Sequence, residues 1–148
     1  MTRFAGLLLA SMLALGGSVV AAVAADPVAV SIDEPGICGN QKVLGRIASR
    51  FSHQVRHVPH LPQVEIADFE RIRESRHLPK IAGERPIDRR YCQARAWLSD
   101  GRSRDVWYLI EKPMGFAGIG SNVEFCVSGF DRWNVYNGRC RVLRPALW

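Results

Sequence analysis

The sequence predicts an α+β domain: one long N-terminal helix packed on an antiparallel sheet of about four strands, with two disulfides. Three observations carry that expectation. Apolar residues follow a helical period from Asn40 to about His57. Strand-like alternation broken by a hairpin turn runs from Tyr91 to Glu111. Four cysteines, Cys38, Cys92, Cys126 and Cys140, follow a leader with the marks of an export signal.

The leader comes first. Arg3 and the amino terminus give a positive start, and an apolar run extends from Phe4 to about Ala22. It closes on Ala22-Val23-Ala24-Ala25-Asp26-Pro27, whose small residues suit signal-peptidase cleavage before Ala25 or Asp26. The run approaches the ~20 residues that span a bilayer, so an uncleaved anchor competes with this reading. Gly16, Gly17 and the alanines favour cleavage. The expected organisation is a signal peptide over 1–25, a lead-in over 26–37 and a single disulfide-stapled domain over 38–148, delivered to the periplasm or secreted. No second apolar run follows, so no transmembrane segment is expected in the mature chain. The chain has a formal net charge of +6, and cleavage removes only Arg3 among its charged side chains.

An even cysteine count in an oxidising compartment reads as disulfides. Three pairings are possible. The favoured one joins Cys126 to Cys140 across a turn-rich stretch and Cys38 to Cys92 between helix and sheet. Each closure stabilises by roughly 3–4 kcal/mol on the chain-entropy account. Zinc would need close ligand pairs such as C-x2-C, and none occur.

Asn40 is a good N-cap. Val43, Leu44, Ile47, Ala48, Phe51 and Val55 then fall within an arc of about 140° at 100° per residue. Pro59 stops the helix, because proline disfavours helical geometry in the residue before it. The stretch from Pro62 to Pro79 stays open: Val64 and Ile66 alternate like a strand, while Phe69 and Ile72 are spaced like a helix. Residues 79–88 read as a loop. Cys92, Ala94, Ala96 and Leu98 share one face of a strand, and Ser99-Asp100-Gly101-Arg102 is a hairpin turn. The return strand, about Arg104 to Glu111, carries Val106 to Ile110 unbroken and suits burial on both faces. Asn122 to Ser128 is expected as the third strand and Arg139 to Leu143 as the fourth.

Opposite the apolar stripe the helix is basic. Lys42, Arg46, Arg50, His53, Arg56 and His57 share the other half of the wheel, and no acidic residue occurs between Glu34 and Glu65. An ordinary solvated face is one reading. The functional one is a landing site for an anionic partner, with Lys42, Arg46, Arg50 and Arg56 as the contact residues. Glu70 and Glu74 could fold back and neutralise it. His53-x3-His57-x2-His60 invites a metal reading, but position 54 is Gln rather than Glu and the neighbouring arginines repel a dication. No metal and no cofactor is expected.

Gly115-Phe116-Ala117-Gly118-Ile119-Gly120 puts three glycines in six residues between two strands. A phosphate loop is excluded, since no Gly-Lys-Ser/Thr follows. The remaining readings are a tight connection and a recognition loop carrying Phe116 and Ile119. For catalysis, no G-x-S-x-G elbow occurs. Glu65, Asp68, Glu70 and Glu74 offer paired carboxylates in a charged segment, whereas Glu124 and Asp131 stand among Phe125, Phe130 and Trp133.

From about Tyr91 to Pro145 the chain resembles a group of small exported proteins of alphaproteobacteria, rhizobial types among them. The marks are Val106-Trp107-Tyr108-Leu109-Ile110-Glu111, the glycine segment above, Asn122-Val123-Glu124, Cys126, Asp131-Arg132, Cys140-Arg141 and Arg144-Pro145. The resemblance implies export and disulfides, carries no mechanism, and implies bacterial hosts that often live against eukaryotic cells. The sequence as a whole is read as a non-enzymatic exported binding protein of the bacterial envelope that contacts an anionic or mixed partner surface: a protein or an anionic envelope component. The alternatives are a secreted host-interaction factor that meets a host protein and a small envelope-glycan hydrolase. Nucleic acid is disfavoured as a partner, for want of any recognition motif.

Overall fold

Asn40 starts the first regular element in the computed structural model, which describes residues 36–144. Its side-chain oxygen accepts the Lys42 backbone N–H (3.0 Å), satisfying one of the donors a helix start leaves unpaired. Helix α1 runs over Gln41–His57 and buries Val43, Leu44, Ile47, Phe51 and Val55. It ends at Val58, whose N–H still reaches the Gln54 carbonyl, with Pro59 next. The expectation of an N-terminal helix is corrected here. The helix lies mid-chain, with residues 1–40 before it. Its position is set by the Asn40 cap, well into the chain. The signal-peptide and lead-in assignments fall almost wholly outside the described residues.

Four antiparallel strands follow: β1 Ile66–Leu78, β2 Asp88–Leu98, β3 Ser103–Lys112 and β4 Asn122–Val127, in the spatial order β1-β2-β3-β4. The Asp100-Gly101 turn joins β2 to β3. Gly101 takes φ +77°, and the Asp100 carboxylate accepts the Arg102 N–H (3.0 Å). Cys92, Ala94, Ala96 and Leu98 of β2 and Val106, Tyr108 and Ile110 of β3 are buried in one core with the apolar stripe of α1. On the opposite face Trp107, Leu109 and Cys126 meet Cys140 and Leu143 of the C-terminal segment. That segment lays the Arg144 guanidinium 4.5 Å over the Trp107 ring. Burial of β3 on both faces accounts for its unbroken apolar run.

One strand assignment is corrected and one open stretch is resolved. Residues 139–143 form no strand. Arg139 and Cys140 take positive φ, and Arg141–Leu143 close a single 3-10 turn. The Cys126–Cys140 disulfide ties this turn to β4. The fourth strand is instead β1, drawn from the stretch the sequence left open. Its pairing with β2 slips between Ile66 and Asp68, Glu70 and Arg73, and Glu74 and Arg76. Each slip inserts one extra residue. A strand period of two thereby becomes the spacing of three that places Ile66, Phe69 and Ile72 against the core and mimics a helix.

Both sheet edges are guarded. β1 carries bulges and charge, two established defences against edge-to-edge pairing. Along β4 and its two flanks the defence comes from α1. Arg46 donates to the Ser121 carbonyl (2.9 Å), Arg50 to the Val123 carbonyl (2.8 Å) and Gln54 to the Phe130 carbonyl (2.9 Å). The spacing of four puts all three on one helix flank.

The cysteines pair as Cys38–Cys92 and Cys126–Cys140, the favoured connectivity. Cys38 sits just ahead of α1, so its bridge fastens the helix start to β2. Tyr108 reinforces the joint by donating its buried hydroxyl to the Cys38 carbonyl (2.9 Å). Two disulfides point to an oxidising compartment. Among the described residues no helix is long and apolar enough to cross a membrane.

Candidate functional site

The arginine bonds to β4 bring the basic helix flank against the glycine-rich loop. Met114 N–H to Gly120 carbonyl (3.3 Å) closes the base of that loop, and Gly118 N–H to Gly115 carbonyl (3.0 Å) tightens it. Gly115 is required by contact: a Cβ there would stand 1.9 Å from the Ile119 carbonyl oxygen. So folded, the loop turns its apolar side chains outward. Phe116 is 97% and Ile119 79% exposed, with Met114 exposed beside them. A hollow of about 430 Å³ lies between them and the helix, lined by Arg46, Arg50, Met114, Phe116 and Ile119. A second, of about 220 Å³, adjoins it through Arg46 and is lined by Lys42, Lys112 and Ser121.

Lys42, Arg46, Arg50, Phe116 and Ile119 therefore share one surface, and Lys112, not singled out in the sequence, joins them. Arg56 does not. It lies six residues beyond Arg50, about 240° round the helix, and its guanidinium bonds Ser52, whose hydroxyl donates to Glu65 (3.4 Å). The predicted ridge is thus divided, with only its N-terminal part beside the loop. Carbonyl contacts do not neutralise Arg46 and Arg50, which keep full charge and further N–H donors. Nor do Glu70 and Glu74 fold back: Glu74 pairs with Arg90 (2.7 Å) and Glu70 lies nearest Arg71 (3.9 Å). The rings of His53 and His57 stack with centroids 3.9 Å apart, and His57 Nδ1–H donates to the His53 carbonyl (2.7 Å). Among the described residues no three His, Cys, Asp or Glu side chains converge as a metal site would require.

A separate cleft of about 240 Å³ opens past the other end of α1. Its walls come from Gln54 and Val58, from Phe125 to Val127 of β4, and from Phe130 to Tyr136. Phe130 is fixed below by an edge-to-face contact with Phe51 (4.8 Å). Trp133 and Val135 are exposed at the mouth. Asp131 accepts the Tyr136 backbone N–H through Oδ1 (3.3 Å), while its Oδ2 is buried with no hydrogen-bond partner. Burial pushes the Tyr136 phenol above its ordinary pKa, and the nearby Glu124 and Asp131 carboxylates push the same way. The sequence drew attention to Glu124 and Asp131 by their aromatic neighbours. What it lacked was the reach of the 130–136 segment back to β4. Glu65 and Asp68 stand apart from this cleft, and Asp68 accepts the Phe69 N–H (2.8 Å).

Comparison with protein-family models, curated proteins and solved structures finds no match to this chain.

Proposed function

We propose that this chain is a non-catalytic binding protein, exported to the periplasm or beyond, that docks on an anionic phospholipid surface of the cell envelope. One observation carries the reading. The Arg46–Ser121 bond joins a row of cations to the most exposed apolar side chains of the described chain. Phosphates next to acyl chains form a surface of matching chemistry. Phe116 and Ile119 enter the headgroup–acyl boundary, while Lys42, Arg46, Arg50 and Lys112 face the phosphates. Each basic residue near an anionic leaflet contributes about 1 kcal/mol. Burial of an apolar side chain such as Phe or Ile adds roughly 1.5–3 kcal/mol. The sum suffices for reversible docking without an anchor. The positive leader, the small residues at 22–25 and the disulfides support export.

Lys42 and Lys112 make the better probes of charge, because Arg46 and Arg50 also hold β4. The Lys42→Glu/Lys112→Glu variant should bind phosphatidylglycerol vesicles at least tenfold more weakly, and wild-type binding should fall steeply from 50 to 300 mM salt. Equal binding to phosphatidylglycerol and phosphatidylcholine vesicles, or indifference to salt, would exclude the reading. Capture of an acidic protein with no vesicle binding would transfer the surface to a protein partner.

A further inference from the structure

We propose that the cleft between the end of α1, β4 and the 130–136 segment is a second binding site, for a small organic amine with an apolar body. Three features of this chain's own residues carry the inference.

The first is shape and lining. Phe125, Val127, Phe130, Trp133 and Val135 present apolar carbon to a concavity of about 240 Å³. At ~30 Å³ per water that is room for roughly eight waters, the size of a molecule of about ten heavy atoms. Small-molecule sites are commonly apolar concavities with a few placed polar groups.

The second is the polar group placed there. Asp131 is the one described residue with a buried side-chain oxygen lacking any hydrogen-bond partner. An unpaired buried acceptor costs about 1–3 kcal/mol, more when charged, and a donor that reaches it recovers that cost. Its other oxygen accepts the Tyr136 N–H over 3.3 Å, a long bond that leaves the carboxylate room to turn. The Asp side-chain torsion next to the carboxylate is broad, and a modest rotation brings Oδ2 to an occupant.

The third is the sign of the field. Glu124 and Asp131 both act on the Tyr136 phenol at the cleft wall, and Arg50 opposes them from the α1 side. Arg132 also lines the cleft, and among the described residues no ion pair involves Asp131. An ammonium group therefore finds an acceptor that no protein cation occupies, while a carboxylate meets like charge. The expected pose sets the apolar body on Phe130 and Trp133 and the ammonium on Asp131.

The test uses the intact oxidised protein and three phenyl-bearing probes of similar size, 2-phenylethylamine, 2-phenylethanol and phenylacetate, titrated by tryptophan fluorescence and NMR. The amine should bind at least tenfold more tightly than the alcohol, and the acid more weakly than either. Asp131→Asn keeps an oxygen able to hold the Tyr136 N–H, and should erase the preference for amine over alcohol. On the wild-type protein, nuclear Overhauser contacts from the phenyl protons should reach Trp133 and Val135, a readout independent of how the variant folds. Equal affinity for amine and alcohol, a preference that survives Asp131→Asn, contacts at another site, or no saturation by any probe up to about 10 mM would each overturn the proposal. None of these measurements involves vesicles, so the result stands apart from membrane docking.

Discussion

Tyr108 shows how much can rest on one side chain. It is fully buried, and its hydroxyl spans from the sheet to the Cys38 carbonyl beside the first disulfide. Burial raises its pKa well above the usual value near 10. The unfolded chain therefore loses this proton first, and between the two pKa values the folded state binds more protons. The associated stability is complete below about pH 10 and declines as pH rises further. Urea titrations from pH 8 to 11 should show that decline in the wild type, and a shallower one in Tyr108→Phe. At neutral pH the same variant should lose about 1–3 kcal/mol, because the Cys38 carbonyl is left without its donor. Such roles were not legible beforehand. Arg46 and Arg50 read as lying opposite the apolar stripe, whereas they flank it. That they serve the outward carbonyls of Ser121 and Val123 depends on contacts more than 70 residues away in sequence.

Among the elements, α1 was the most legible, because its cap, stripe and stop all lie within the helix and its flanks. Gly45 is the exception to its good composition. A Cβ there meets nothing within 4 Å, and the backbone is ordinary helix. Gly45→Ala should therefore raise stability by about 0.5–1 kcal/mol, read as a shifted urea midpoint at constant slope. β1 was illegible for a stated reason: bulges stretch the spacing of Ile66, Phe69 and Ile72 until it matches a helical period. An error did occur at 139–143, where Val142 and Leu143 resemble a short strand. The positive φ of Asn137, Gly138, Arg139 and Cys140 turns the chain instead. Nothing in that residue pattern other than Asn137-Gly138 announces the turn.

For the molecule as a whole, the cross-links and the charge arrangement matter most. The cysteines of one bridge are 54 positions apart and those of the other 14. On the chain-entropy account they stabilise by about 4 and about 3 kcal/mol. Replacing Cys38 and Cys92 by serine should therefore cost more than replacing Cys126 and Cys140, as measured by denaturant unfolding of each double variant. The Cys38–Cys92 pair also sets where α1 begins relative to β2, and so where its cations stand relative to the 113–122 loop. Composition revealed that the chain is basic and cross-linked. It could not reveal that Lys42, Arg46 and Arg50 share a surface with Phe116 and Ile119 while Arg56 is excluded, since that partition depends on how α1 crosses the sheet. The most direct test is co-flotation of the oxidised protein with phosphatidylglycerol vesicles, wild type against Phe116→Ser/Ile119→Ser. Docking through the loop predicts that the wild type floats and that the variant, equally folded, stays at the bottom of the gradient. A variant that floats as well as the wild type would contradict it.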